Sequence, residues 1–277
     1  MKKLLAILLA LSMIFCFAAC TGNGEDPTDG TTADQAADSD YAYIADKGEM
    51  IIGITYFAPM NYFDENDELI GFETEFATAV CEELGIKAKF QEIDWGAKET
   101  ELAAKQIDCI WNGMTITEDR LANMEISTPY MANKQVLVVK ADNADVESVD
   151  GLNIVAEKES AGEEVATTDE FFANANYTAV ETQSTALMEV AAGTADGCVV
   201  DYVCSIGMIG EGTDYENLVV VEDLAFADEQ YGIAFRKGSD MAAKVNDAIQ
   251  ALADSGKLAE IAGDYKLTEQ VLVKAAA

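Results

Sequence analysis

The chain of 277 residues contains no histidine. That removes Ser-His-Asp and Cys-His nucleophilic machinery and histidine metal sites from consideration. Basic residues are scarce as well: 17 Lys and Arg stand against 51 Asp and Glu, a formal charge of −34. A chain with no basic face has little with which to neutralise phosphates, which argues against nucleic acid. It also argues against electrostatic docking on anionic lipid. The plain meaning of such acidity is solubility and mutual repulsion; attraction of cationic ligands is the functional alternative. Neither a P-loop nor GxGxxG occurs, so there is no nucleotide signature. No cofactor and no metal are expected. Past the N-terminus, no apolar run is long enough to span a bilayer.

Cysteine is sparse and scattered, at 16, 20, 81, 109, 198 and 204. Cys109 and Cys198 sit inside apolar, strand-like runs. The reading of Cys81, Cys109, Cys198 and Cys204 as buried small hydrophobes stands beside a Cys198–Cys204 disulfide, which export would permit.

Residues 1–19 read as a secretory signal: Lys2 and Lys3, an apolar stretch from Leu4 to Phe17, then Ala18 and Ala19. Cys20 after two alanines looks like a bacterial lipobox, so Cys20 is expected to carry lipid. Cleavage after Ala19 with Cys20 left free is the alternative. Residues 20–40 hold no large apolar residue before Tyr41 and read as a flexible tether. Lipid, tether and folded body together place the protein outside the cytoplasm, on the outer face of the cell membrane. Without Lys2 and Lys3, 15 basic residues face 51 acidic ones, a balance of −36.

At this length, with half of its residues apolar, the chain can bury one large core or two medium ones. A strand is predicted at 50–56, a hairpin-like segment at 57–72, a helix near 73–84 and a strand at 87–93. A helix at 97–105, a strand at 107–113, a short helix at 117–123 and a strand at 134–140 follow. The second half repeats the scheme, with strands at 153–157, 177–181, 197–203, 217–221 and 231–237. Its helices fall near 162–173, 184–192, 241–256 and 257–263. Strands alternating with helices predict an α/β body with a largely parallel sheet.

One phrase occurs twice. "ELAAKQIDCIWNG" (101–113) and "EVAAGTADGCVVD" (189–201) align without gaps at an offset of 88. Both read helix, turn, Asp, buried strand, which suggests two lobes of like construction. Open α/β sheets bind ligands at the C-terminal edges of their strands. Those edges carry Asn112, Gly113 and Thr115 in one phrase and Asp201 in the other.

A zwitterionic amino acid suits these residues. Its carboxylate wants a planar cation, and Arg120, one of only two arginines, can supply it. The loop after Gly113, running into a helix start near Thr115–Thr117, can add backbone donors. Asp201 can take the ammonium, and Phe57 and Trp95 can wall the side-chain space. The competing structural readings are a plain capping box at Thr115 and Glu118, an exposed Arg120, a core Trp95 and a helix-capping Asp201. Trp111 reads as core.

These segments resemble the polar amino-acid branch, family 3, of bacterial solute-binding proteins of ABC transporters. The resemblance covers residues 41–266 and rests on "GITYFAPMNYFDENDELIGFETEFA", "AAKQIDCIWNGMTITEDR", "STPYMANKQVLVVK", "AAGTADGCVVD" and "YGIAFRKGSDMAAKVNDAI". It implies an α/β, two-lobed periplasmic-binding-protein-like fold of type II with the ligand cleft between the lobes. Lobe 1 is expected at 41–138 plus 232–277 and lobe 2 at 139–231, with hinge crossings near Val139–Ala141 and Gln230–Gly232. It further implies Arg120 as carboxylate clamp with Gly113 and Thr115 beside it, Asp201 on the ammonium, and Phe57 and Trp95 flanking the side chain. Ser160 and Ala161 match a loop that often reads Gly-Thr-Thr, with Glu159 in place of the glycine; Ser160 is the better candidate. Asn112 can reach a polar side-chain tip. Glu73 and Glu75 replace common aspartates, read as a harmless variation at a helix start. The implied function is capture of a free, polar or basic amino acid by a monomeric, lipid-anchored protein that delivers it to permease subunits. The rivals are an enzyme on the same fold, such as a dehydratase, and a receptor's sensor domain; the latter is not expected, because no span or signalling segment follows before Ala277.

Overall fold

Helix α1 (Asp40–Lys47) opens the described part of a computed structural model, residues 39–276. The expected signal, Cys20 and the tether through residue 38 lie outside the described residues. The tether was expected to run to residue 40, but Ser39 and Asp40 belong to the folded body. Ser39 caps α1 by accepting from Ala42 N, and Asp40 is buried with both oxygens 3.0–3.1 Å from Arg236 Nε. Gly48, at φ 74, ends the helix in the left-handed region that glycine adopts freely.

Strands β1 (Glu49–Ile54), β2 (Tyr62–Phe63) and β3 (Leu69–Ile70) precede α2 (Phe72–Glu83) and β4 (Lys87–Glu92). Then come α3 (Lys98–Ala103), β5 (Cys109–Ile110), α4 (Glu118–Asn123) and β6 (Met124–Ile126). Next are β7 (Met131–Lys140), β8 (Asn153–Glu157), α5 (Ala161–Thr168), β9 (Asn176–Val180), α6 (Gln183–Ala192) and β10 (Gly197–Asp201). The chain finishes with α7 (Tyr202–Met208), β11 (Leu218–Tyr231), β12 (Ala234–Arg236), α8 (Met241–Ser255) and α9 (Lys257–Asp264).

Two five-stranded sheets result, ordered β4-β1-β5-β12-β6 and β11-β7-β10-β8-β9, beside the β2-β3 hairpin. The expected largely parallel sheet is corrected to two mixed ones. β4, β1 and β5 are parallel, but β12 and β6 join antiparallel; β8 is parallel to both β9 and β10, while β7 is antiparallel to β10 and β11. The antiparallel strands are those on which the chain enters or leaves a sheet.

The chain passes between the sheets at 127–130, after β6, and again at 232–233, before β12. The first crossing was expected near Val139–Ala141. Val139 instead pairs with both Gly197 and Val219 inside the second sheet. A long apolar strand gives no sign in sequence of where it leaves one sheet for another.

The twice-occurring phrase is repeated in atomic detail. Lys105 has φ 59 and Gly193, 88 residues on, φ 79. Gln106 N donates to Glu101 O at 3.0 Å, and Thr194 N to Glu189 O at 3.0 Å. Asp108 and Asp196 then reach back to the start of a neighbouring strand. Each donates its N–H to one residue, Ile51 O or Asn153 O, and accepts that residue's N–H on Oδ2. Both phrases thus end a helix, turn, and clamp a parallel strand in the same way.

Burial follows the apolar spacing. α8 turns Met241, Val245, Ala248, Ile249 and Leu252 inward, an i, i+4 stripe. Trp111 is core, as expected, with its ring edge-on to Phe76 at 5.1 Å; burial of each such ring contributes roughly 1.5–3 kcal/mol. Cys81, Cys109, Cys198 and Cys204 are all buried and free, and Cys204 Sγ lies 3.5 Å from Met208 Sδ rather than bonded to Cys198. Among the described residues no helix is long and apolar enough to cross a membrane.

Candidate functional site

Where the strand ends of the two sheets meet, a small cavity is lined by Trp95, Asn112, Gly113, Thr115 and Arg120 from one side. Gln135, Glu157, Ser160, Gln183 and Asp201 line it from the other. It encloses about 10 Å³, room for about one water. A larger opening of about 560 Å³ adjoins it at Arg120 and Ser160 and leads outward past Lys98, Thr117 and Glu163.

Arg120 is buried rather than exposed, at 9%. Its Nη1 donates to Thr115 O at 2.7 Å and its Nη2 to Glu159 O at 3.3 Å, reaching from one sheet's elements to the other's. No described salt bridge involves it, and burial holds its pKa below the ordinary arginine value. The cap of α4 is Thr117, whose Oγ1 accepts from Arg120 N; Thr115 is therefore not the cap. Thr115 Oγ1 donates instead to Glu229 Oε2 at 3.1 Å.

Asp201 is 6% exposed and stands at the N-cap position of α7 without capping it. Its Oδ1 accepts from Asn133 Nδ2 at 2.8 Å and Gln135 Nε2 at 2.5 Å, and its Oδ2 from Gln183 Nε2 at 2.5 Å. Burial raises its pKa, and these amide donors oppose the rise. They fix the carboxylate's direction and leave its remaining lone pairs for the cavity.

Gly113 has φ 56, and a Cβ there would stand 3.2 Å from Phe57 Cζ and 3.3 Å from the Tyr231 ring. Its N–H donates to Glu73 Oε1 at 2.8 Å. Glu73 is no harmless variation at a helix start. It is fully buried, accepts also from Tyr130 Oη and Asn61 Nδ2, and has its pKa pushed up to about 7 by desolvation. Asn112 is committed too: its Nδ2 donates to Thr55 Oγ1 at 2.6 Å and its Oδ1 accepts from Asn61. Phe57, expected as a cleft wall, is not among the residues lining this small cavity; its buried ring lies against Gly113, which is.

Trp95 does line the cavity, 4% exposed, with its Nε1 unpartnered and Lys98 Nζ 4.8 Å from its ring. Ser160 caps α5, accepting from Glu163 N and donating to Glu157 O at 2.6 Å, and Ala161 stands beside it in the wall. Glu159 takes φ 54, a conformation glycine adopts without strain, and its carbonyl accepts from both Arg120 and Lys98.

A sequence profile of the bacterial extracellular solute-binding proteins, family 3, matches residues 50–268. This chain belongs to that family. It is 30% identical over 268 residues to the L-cystine-binding protein TcyA of Bacillus subtilis, covering 94% of this chain and 96% of that one. Among solved structures, a mutant of ArgBP from T. maritima superposes with a TM-score of 0.74 at 26% identity, covering 82% of this chain and 99% of that one. An ancestral amino acid-binding protein, AncCDT-1, described as a precursor of cyclohexadienyl dehydratase, gives 0.73 at 27% identity, covering 82% and 99%. The two sheets are accordingly those of a two-lobed, type II periplasmic-binding fold.

For a family 3 protein, the sequence reading passed over Gln135, Gln183 and Glu157 in the cavity wall. Gln135 was detectable as a lone amide inside the apolar run "KQVLVVK". Glu157 was detectable as an acid ending the strand "NIVAE", the position Asp201 holds on β10.

Proposed function

We propose that this protein captures a free amino acid by closing two lobes on it and delivers it to the permease of an ABC importer, held at the outer membrane face by lipid on Cys20. The lobes would divide at the sheet crossings, 39–130 with 232–276 against 131–231. The observation that carries this reading is the convergence of Arg120 and Asp201 on one buried cavity between the two sheets. Arg120 would clamp the carboxylate in a bidentate pair. Asp201, oriented by three amides, would take the ammonium. Trp95 would flank the side chain. The α5 start at Ser160 and Ala161 would close over the carboxylate, while Gly113, Thr115 and Asn112 would set the facing wall. Relatives named for binding cystine and arginine support the ligand class.

The mechanism is a population shift. A ligand touching both lobes binds the closed arrangement better than the open one and so favours closure. In the described arrangement Arg120 and Lys98 already reach Glu159 O across the cleft, and Ser184 Oγ reaches Tyr56 O at 3.0 Å. These contacts would exchange with the ligand's own. Ligand capture breaks no covalent bond, which separates this reading from an enzyme: the amino acid should be recovered unmodified and stoichiometric, whereas turnover would favour a dehydratase-like activity. A thermal-shift screen over the twenty amino acids and cystine should find a stabilising ligand. Calorimetry on Arg120→Ala should then show affinity for it weaker by roughly tenfold or more, as for loss of a charge-assisted hydrogen bond pair, with the fold intact. Unchanged affinity would remove Arg120 from the site.

A further inference from the structure

We propose that Glu157 is the specificity-determining residue of this cleft and selects amino acids carrying a second positive charge. This rests on the amino-acid reading above. Glu157 ends β8, the strand paired in parallel with β10, whose end carries Asp201; both side chains line the same cavity. It is 4% exposed, and among the described residues its Oε1 has no hydrogen-bond partner. Asp201 shows the contrast, with both oxygens engaged by amide donors.

An unpartnered buried carboxylate is costly as an ion unless something supplies a cation. Burial, and then the charge of Asp201, push the Glu157 carboxyl up to about 8. After Asp201, Lys98, Asp94 and Glu181 act on it most, and of these only Lys98 is positive; Arg120 lines the same cavity and is the group that would meet the ligand's carboxylate. Lys98 does not pair with Glu157: its Nζ is spent on the carbonyls of Trp95 and Glu159. The charges that line the cavity then point to the ligand. Arg120 and Asp201 balance an amino acid's carboxylate and ammonium; Glu229, behind Asp201, is outside the lining and accepts from Thr115, Asn133 and Gln135, so of the lining carboxylates Glu157 remains over. A guanidinium, a side-chain ammonium or the second ammonium of a cystine would pair it. A neutral side chain would leave it protonated or unpaired, a penalty that discriminates between ligands.

The test is calorimetry on the full protein and its Glu157→Gln variant with L-arginine, L-lysine, L-cystine and L-glutamine. The wild type should bind at least one of the first three more tightly than glutamine, and which one identifies the second cation's source. Glu157→Gln should weaken that ligand by roughly tenfold or more and weaken glutamine far less. Because a protonated Glu157 must ionise to meet a cation, binding of that ligand by the wild type should release a proton, seen as a dependence of the heat on the buffer's ionisation enthalpy. The variant should lose that release. Equal weakening of all four ligands, or preference for glutamine in the wild type, would overturn the proposal. Binding of no amino acid at all would instead overturn the amino-acid reading, and this proposal with it.

Discussion

At the scale of single residues, the site separates into groups that are finished and groups that await a partner. Asp201 is held by Asn133, Gln135 and Gln183 and keeps lone pairs toward the cavity. Replacing it with Asn removes the negative charge while keeping the shape. Asp201→Asn should weaken an amino acid by roughly 1.5–3 kcal/mol, the range for a hydrogen bond to a charged group. The deaminated analogue of the same ligand, which has no ammonium to place, should lose far less. Calorimetry on the pair of ligands reads this directly, and equal losses would remove the ammonium role. Arg120 and Asp201 stood out as candidates in the sequence because Asp201 ends a recognisable strand and Arg120 lies beyond one, and the cavity brings the two together. The amides that aim Asp201 did not stand out. Gln135 reaches it because it sits directly opposite Asp201 in the β7–β10 register, a pairing between residues 66 apart that no local pattern encodes. Glu73 was undervalued for a similar reason. At the start of α2 it read as a harmless variation, yet the helix is packed so that Glu73 meets the Gly113 N–H 40 residues away.

At the scale of elements, the helix-turn-strand unit used twice is the construction that delivers both halves of the site. Its turn needs a left-handed residue, filled by Lys105 in one copy and Gly193 in the other. A residue with a Cβ pays roughly 1–2 kcal/mol in that region. Gly193→Ala should therefore destabilise the protein by about 1 kcal/mol. Among the described residues the atoms near the added methyl are the far end of Lys140, Nζ at 2.9 Å, which can swing aside, so the backbone angle sets the cost. Urea unfolding should show a lower midpoint with an unchanged slope; an unchanged midpoint would refute the strain argument. Most helices and several strands were legible from periodicity and capping residues, but β11, 14 residues long, was read only at its start, 217–221. β6, with three residues, and α7, which continues directly from the end of β10, were not legible. Three residues carry too little periodicity to read, and "GCVVDYV" has the apolar content of one strand although its last two residues already turn into helix. α1 was missed because its start, Ser39 and Asp40, matches the polar composition of the tether before it; what orders it is contact with Asp240 and Arg236, some 200 residues on.

At the scale of the whole molecule, the lack of basic residues becomes a statement about pH. Three glutamates near the sheet crossing or the cleft, Glu73 and Glu157 buried and Glu229 partly so, have pKa values above the usual range. Glu73 is pushed up to about 7 by burial, Glu157 to about 8, and Glu229 to about 7 by burial and then the charge of Asp201. Each holds its proton more tightly folded than unfolded. The stability they contribute is therefore fully present below their unfolded value of about 4.5 and is lost as pH rises through 7 to 8. Repulsion within a chain of −34 acts in the same direction as the last carboxyls ionise. The two causes separate in salt, because buried groups are screened far less than exposed ones. The ligand-free protein should melt at a higher temperature at about pH 5.5 than at about pH 8.5, and the difference should persist in about 1 M salt, where the screening length falls to about 3 Å. Glu73→Gln, which cannot ionise, should shrink it. A second cation bound at Glu157 should shrink it too, by giving the ionised carboxylate the partner it otherwise lacks. Melting temperatures that stay level or rise across this range would show that the buried carboxyls ionise without cost to the fold, and would take away the electrostatic basis for a cation beside Glu157.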